Sequence, residues 1–64
     1  MTRTAAEVHV IADTVERQRR QVGALAEPYL GSDREDVVAL LHEAERQLQM
    51  AARALTRALR MLEG

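Results

Sequence analysis

Hydrophobic residues recur at every seventh position along the second half of the chain. Leucine forms one such series, and a valine followed by three alanines forms another. The two series are Leu41, Leu48, Leu55 and Leu62, and Val37, Ala44, Ala51 and Ala58. A seven-residue repeat is typical of a helix that buries a continuous hydrophobic seam. It predicts a long helix from about residue 33 to about residue 63.

The first half of the chain carries a narrower hydrophobic seam. Its members are Val8, Ile11, Val15, Val22 and Leu25, with Ala12 and Ala26 beside them. The segment Thr4–Glu7 has the sequence of a capping box, in which a threonine hydroxyl and a glutamate carboxylate each bind a backbone N–H at the start of a helix. We predict a first helix from about residue 5 to about residue 27.

A turn from about residue 28 to about residue 32 separates the two predicted helices. Pro28 disfavours helical geometry at Glu27, the residue before it, and Gly31 accepts a positive φ angle without steric cost. The segment Ser32–Glu35 has the sequence of a second capping box. We expect Tyr29–Leu30 to fold back over the end of the core. So short a connection makes the two helices antiparallel neighbours.

The apolar face of the second predicted helix is wider than that of the first. Two further sets flank its seam: Leu40, Ala54 and Met61 on one side, and Val38, Ala52 and Leu59 on the other. Together these residues span an arc of about 160°, against about 100° for the first helix. The narrower helix cannot cover the wider face, and a long exposed apolar strip usually marks an interaction surface.

The predicted fold class is therefore all-α: an antiparallel two-helix hairpin that forms a single domain, residues 1–64, and dimerises into a four-helix bundle. The expected partner is a second copy of the chain or a larger helical protein. The residues expected at this interface are Val37, Leu41, Ala44, Leu48, Ala51, Leu55, Ala58, Leu59 and Leu62.

The order of charges favours antiparallel pairing. The second helix begins acidic and ends basic, and so does the first. Folding the chain at Leu30 brings the basic end of the first helix to the acidic start of the second. Two antiparallel copies of the second helix would match in the same way. Each exposed ion pair contributes less than about 1 kcal/mol, so these charges select an orientation more than they stabilise it.

Composition narrows the possible functions. The chain has no Cys, which excludes disulfides and thiolate metal sites. Its longest apolar run, Val37–Leu41, is far shorter than the ~20 residues of a membrane-spanning helix. No apolar secretory signal is visible at the N-terminus, so we expect a cytoplasmic protein.

A polar layer is expected to interrupt the core of the hairpin. Antiparallel pairing places Gln18 and Arg19 at the level of His42 and Glu45, and Gln18 and Glu45 occupy seam positions. One interpretation is a polar pocket that binds a small ligand or anchors a partner. The other, which we favour, is a layer that fixes the helix register, as polar residues do in coiled coils.

Arginine clusters are candidates for contact with anions. Arg53, Arg57 and Arg60 lie close together near the end of the second helix. They would suit the phosphates of a nucleic acid. The net charge of −1, the absence of Lys and the single aromatic residue argue against that interpretation. We favour a solvated face in which Glu7 and Asp13 pair with the arginines.

No pattern in the sequence indicates catalysis. His9 and His42 would lie about 13 Å apart along the hairpin, too far for one metal site. No nucleophile triad or glycine-rich phosphate loop is present. We therefore expect no enzyme activity and no cofactor. The predicted function is that of a small homodimeric adaptor, regulator or assembly subunit, with a nucleic-acid-associated regulator as the alternative.

Overall fold

The chain folds as an antiparallel pair of helices in a computed structural model that describes residues 2–64. Helix α1 comprises Arg3–Ala26, a short 3₁₀ turn comprises Glu27–Tyr29, and helix α2 comprises Glu35–Glu63. Residues 2–64 contain no strand. The prediction of an all-α helical hairpin is confirmed.

Helix α1 begins earlier than the capping box predicted. The hydroxyl of Thr2 accepts a hydrogen bond of 3.0 Å from the backbone N–H of Ala5, so Thr2 is the N-terminal cap. The prediction that Thr4 caps the helix is wrong, because Thr4 lies inside the first turn. Glu7 instead forms an ion pair with Arg3 at 3.2 Å. The earlier start extends the helix far enough to bury Ala5 completely.

Pro28 does not end the helical geometry where it was expected to. Glu27 has φ −55° and ψ −46°, which are helical values. The proline lies at the start of the 3₁₀ turn, which continues directly from the last residues of α1. Gly31 adopts φ 72°, the left-handed conformation for which glycine is suited.

The start of α2 is not a capping box. Ser32 accepts a hydrogen bond of 3.1 Å from the N–H of Arg34 and donates one of 2.6 Å to the carbonyl of Tyr29. The cap residue is Arg34, whose side chain makes no capping hydrogen bond. Tyr29 and Leu30 are exposed, so the expectation that they fold over the core is also wrong. The hydroxyl of Ser32 binds the turn and is not free to cap the helix.

The packed seam of α1 contains Val8, Val15 and Val22 as predicted but differs from the prediction at Ile11 and Leu25. Ile11 is 51% exposed and Leu25 is 59% exposed, although both were expected to pack. The neighbouring residues Ala12 and Ala26 face α2 instead, and their small side chains allow the two helices to approach closely. The less exposed positions of α1 that follow this seam are Ala5, Val8, Ala12, Val15, Arg19, Val22 and Ala26.

The seam of α2 follows the same alternation of three and four residues. Its members are Val38, Leu41, Glu45, Leu48, Ala52, Leu55 and Leu59, and all are half-buried. Within residues 2–64, only Ala5 and Ala26 are fully buried, and no large side chain is. The radius of gyration is 14.9 Å, against about 11 Å for a compact chain of this length. The hairpin is thus a rod of 49 × 13 × 10 Å with little enclosed core.

Candidate interaction face and arginine groove

The two sides of the hairpin differ in polarity. In both helices, an uncovered strip lies one position before the packed seam: Ile11 and Leu25 precede Ala12 and Ala26, and Ala51 precedes Ala52. In a pair of antiparallel right-handed helices, the residues that immediately precede the packed seam lie on the same side of the pair in both helices. The uncovered strips of α1 and α2 therefore lie on one side of the hairpin.

We call this side the apolar face. On α1 it carries Ile11 and Leu25, which are separated by the polar residues Thr14, Gln18 and Gln21. On α2 it is almost continuously apolar, interrupted only by Gln47. Leu40 is 66% exposed and Met61 is 84% exposed. The members of the apolar face on α2 are Val37, Leu40, Ala44, Ala51, Ala54, Ala58 and Met61.

The residues predicted for the interface divide into two sets. Leu41, Leu48, Leu55 and Leu59 lie on the packed seam and are half-buried within the hairpin. Ala51, Ala58 and Leu62 are exposed, and Val37 and Ala44 are half-buried at the edge of the apolar face. The leucine series thus faces α1, while the alanine series remains open to another molecule.

The surface area of the chain exceeds that of a compact protein. The chain exposes 4913 Å², whereas a compact folded protein of this size exposes about 4,100 Å². The excess of about 800 Å² matches the area that each partner buries in a standard protein–protein interface. This excess counts polar and apolar surface together and reflects the elongated shape of the hairpin.

A cluster of charged residues extends from the packed seam to the opposite, polar side. Arg19 binds Glu16 at 2.6 Å and reaches Glu45 on α2 at 3.4 Å, and Arg20 approaches Glu16 at 3.6 Å. The hydrogen bond from Arg19 lowers the pKa of Glu16 below its ordinary value, against a smaller opposing effect of desolvation. The same hydrogen bond raises the pKa of Arg19. This cluster joins the two helices through a polar contact.

Gly23 lies beside this cluster. A Cβ atom at Gly23 would stand 2.7 Å from Oε2 of Glu45, so the glycine makes room for that carboxylate. The roles of Gly23 and Glu16 were not predicted from the sequence. The spacing of Glu16, Arg19 and Arg20 at three and four residues is a signal that could have revealed the ion pairs. The contact of Gly23 depends on the register between the helices, for which the sequence holds no local signal.

The predicted polar layer differs from the one in the structure. Arg19 and Glu45 do meet, but Gln18 and His42 are exposed. No side-chain hydrogen bond or ion pair in residues 2–64 involves either of them. The Glu45 side chain lies beside Arg19 and Gly23, which indicates that the helices are displaced along their axes from the expected register.

An open groove of about 510 Å³ runs between the helices on the polar side, and we call it the arginine groove. It is lined by Asp13, Glu16, Gln49, Arg53, Arg57 and Arg60, among others. None of these three arginines forms an ion pair within the described residues. Their expected partners are engaged elsewhere, Glu7 with Arg3 at 3.2 Å and Asp13 with His9 at 3.7 Å.

The described part of the chain brings together no three His, Cys, Asp or Glu side chains that could hold a metal ion. No helix within it is both long enough and apolar enough to cross a membrane. Comparison of the chain with protein-family models, with curated proteins and with solved structures finds no match to any of them. The two sides of the hairpin are therefore its candidate functional features.

Proposed function

We propose that this chain is a small non-enzymatic interaction module whose apolar face binds another protein. The leading form is a homodimer, assembled as a four-helix bundle, that acts in the cytoplasm as an adaptor, regulator or assembly subunit. The second form is a complex in which the same face docks on a larger helical protein. The observation that supports both forms is the row of apolar residues from Val37 to Met61 along one side of α2, of which all but Val37 and Ala44 are exposed.

The energetics of the isolated hairpin favour such an assembly. A domain of about 60 residues is only marginally stable even when compact, and here no large side chain among residues 2–64 is fully buried. Full burial of one leucine or methionine side chain contributes about 1.5–3 kcal/mol. Covering Leu40 and Met61 would therefore add stability that the two helices alone do not provide.

Site-specific photo-crosslinking tests the proposal in cells that produce the protein. A photoreactive amino acid at Leu40 reports on the apolar face, and the same group at Arg46 serves as the control because Arg46 lies on the polar side of α2. We expect a product from the Leu40 position, either at twice the mass of the chain or with a larger protein, that the Arg46 position does not give. Equal labelling from both positions, or none from either, would refute the proposal.

The arginine groove supports a second candidate, a regulator that contacts nucleic acid. Arg53, Arg57 and Arg60 line it without ion-pair partners among residues 2–64. Against this candidate, Asp13 and Glu16 line the same groove and would repel phosphates. Binding to a panel of DNA and RNA at two salt concentrations tests it. Specific phosphate contacts must weaken steeply with salt and be lost when Arg53 and Arg57 are replaced by Gln.

A further inference from the structure

We infer that the partner on the apolar face is a second copy of this chain, with its α2 antiparallel to the first and the two-fold axis near Ala51. This inference rests on the proposed function and specifies the partner and its orientation. Three observations support it: the charges along the edge of the face, the distribution of small and large side chains, and the exposed area.

The charges along the outer edge of the apolar face change from acidic to basic along α2. The edge is therefore complementary to the same edge of a second copy that runs in the opposite direction. The positions that immediately precede the alanine series are Asp36, Glu43, Met50 and Arg57, and all four are exposed. Arg57 also lines the arginine groove, so it lies at the border between the two sides of the hairpin. An antiparallel copy places Glu43 beside Arg57 of the partner subunit. The two-fold axis generates this pair twice, and Met50 lies near the axis. A parallel copy would place like charges together. Neither Glu43 nor Arg57 has an ion-pair partner within the described chain.

The sizes of the side chains along the strip suit the same arrangement. Apart from Gln47, the centre of the strip consists of small residues, among them Ala44, Ala51 and Ala58, which allow two helix axes to approach closely. Large residues occupy its ends, at Leu40 and Met61. About Ala51, an antiparallel copy brings Leu40 of one chain to the level of Met61 of the other. Each large side chain then meets a large side chain instead of open solvent.

The exposed area is sufficient for a stable dimer. The excess of about 800 Å² over a compact protein of this size equals the area that one partner buries in a standard interface. The strip on α2 extends from Val37 to Met61, nearly the whole of a helix of 29 residues. A second copy presents a strip of the same length and curvature, so both strips are covered by one contact.

Charge reversal tests the orientation. We expect Glu43→Arg and Arg57→Glu each to weaken the self-association of the purified chain about tenfold or more, because each creates two repulsive pairs in place of two attractive ones. Mixing the two variants restores complementary pairs and should restore association. Arg46→Glu is the matched control for Arg57→Glu, with the same change of charge on the polar side. Association constants come from sedimentation equilibrium, and circular dichroism verifies that each variant remains helical.

Cysteine crosslinking gives an independent test. Because the chain has no natural Cys, only the introduced residue can react. With a short bis-maleimide reagent, Ala51→Cys should crosslink to itself. Ala44→Cys alone should not, because antiparallel pairing separates the two copies of residue 44 by about 21 Å along the axis. A mixture of Ala44→Cys and Ala58→Cys should crosslink.

The outcomes separate the inference from the proposed function. Crosslinking of Ala44→Cys to itself, or charge reversal without effect, would overturn the antiparallel arrangement. A purified chain that stays monomeric while the Leu40 photo-crosslink captures a larger protein would overturn the inference but leave the proposed function standing. A monomeric chain whose apolar face captures nothing beyond the Arg46 control would refute both.

Discussion

The carboxylate of Glu45 on α2 lies against the backbone of Gly23 on α1, where a Cβ atom would stand 2.7 Å from Oε2. The same carboxylate accepts a hydrogen bond of 3.4 Å from Arg19. A glycine inside a helix costs about 1 kcal/mol relative to alanine. At this position the cost has a structural reason, because the missing side chain leaves space for a polar contact between the two helices.

Substitution of Gly23 by alanine should therefore depend on Glu45. In the natural chain, we expect Gly23→Ala to stabilise by clearly less than the ~1 kcal/mol of its helix propensity, because the Glu45 carboxylate must move. In a Glu45→Ala background the full gain of about 1 kcal/mol should return. Urea unfolding at one fixed protein concentration measures both. Equal gains in the two backgrounds would contradict the contact.

Acid should destabilise the hairpin through Glu16. The hydrogen bond from Arg19 holds the pKa of this carboxylate below its ordinary value of about 4.5. A group whose pKa is lowered by folding contributes stability that is fully present above the unfolded pKa and is lost as the pH falls through the folded value. We expect the melting temperature to fall on acidification below about pH 4.5, and to fall less in Glu16→Gln.

Glu27→Gln is the control for this pH effect, because Glu27 forms no ion pair within residues 2–64. It should retain the acid sensitivity that Glu16→Gln reduces. If both variants lose it equally, the effect belongs to the net charge and not to the Glu16–Arg19 contact.

The two threonines near the start of α1 should respond to alanine with opposite signs. Thr2→Ala removes the cap hydrogen bond to Ala5 and should cost about 1 kcal/mol. Thr4→Ala replaces an interior threonine by a better helix former and should stabilise by up to ~0.5 kcal/mol. Thermal unfolding of the two variants at equal concentration measures the difference. A larger loss from Thr4→Ala would place the cap where the capping-box pattern put it.

The cap and the seam show why sequence analysis reached the fold but not its details. The seven-residue repeat predicts that the two helices pack against each other. It makes the same prediction whether Ile11 or Ala12 faces α2. Ile11 and Ala12 are neighbours, and both are apolar, so the pattern alone cannot decide which of them faces α2. The close approach of the helices decides, and it favours the smaller residue.

The candidate site was predictable to a similar degree. The excess width of the apolar surface on α2 is a property of one helix and follows from its sequence. The contribution of α1 was not predicted, because Ile11 and Leu25 were assigned to the packed seam. The polar cluster was predicted only in part. The long side chains of Arg19 and Glu45 still meet when the register of the helices shifts, whereas the shift separates Gln18 from His42.

Leu40 provides the most direct test of the apolar face, with Val10 as its control. Leu40 is 66% exposed on the apolar face of α2, and Val10 is 63% exposed on α1, on the side away from α2. If the hairpin acted alone, replacing either residue by glutamine would change its stability little, because neither side chain is buried within it. If the apolar face is covered in solution, Leu40→Gln removes a buried leucine from each subunit at a cost of roughly 1–2 kcal/mol.

The difference should appear as a dependence on concentration. We expect the melting temperature of the natural chain and of Val10→Gln to rise with protein concentration, because dissociation accompanies unfolding in a dimer of marginal monomers. The melting temperature of Leu40→Gln should be lower and should depend on concentration only at higher concentrations, where its weakened dimer still forms. Identical curves for the two variants would mean that nothing covers Leu40, and that the exposed strip on α2 is an ordinary solvated surface.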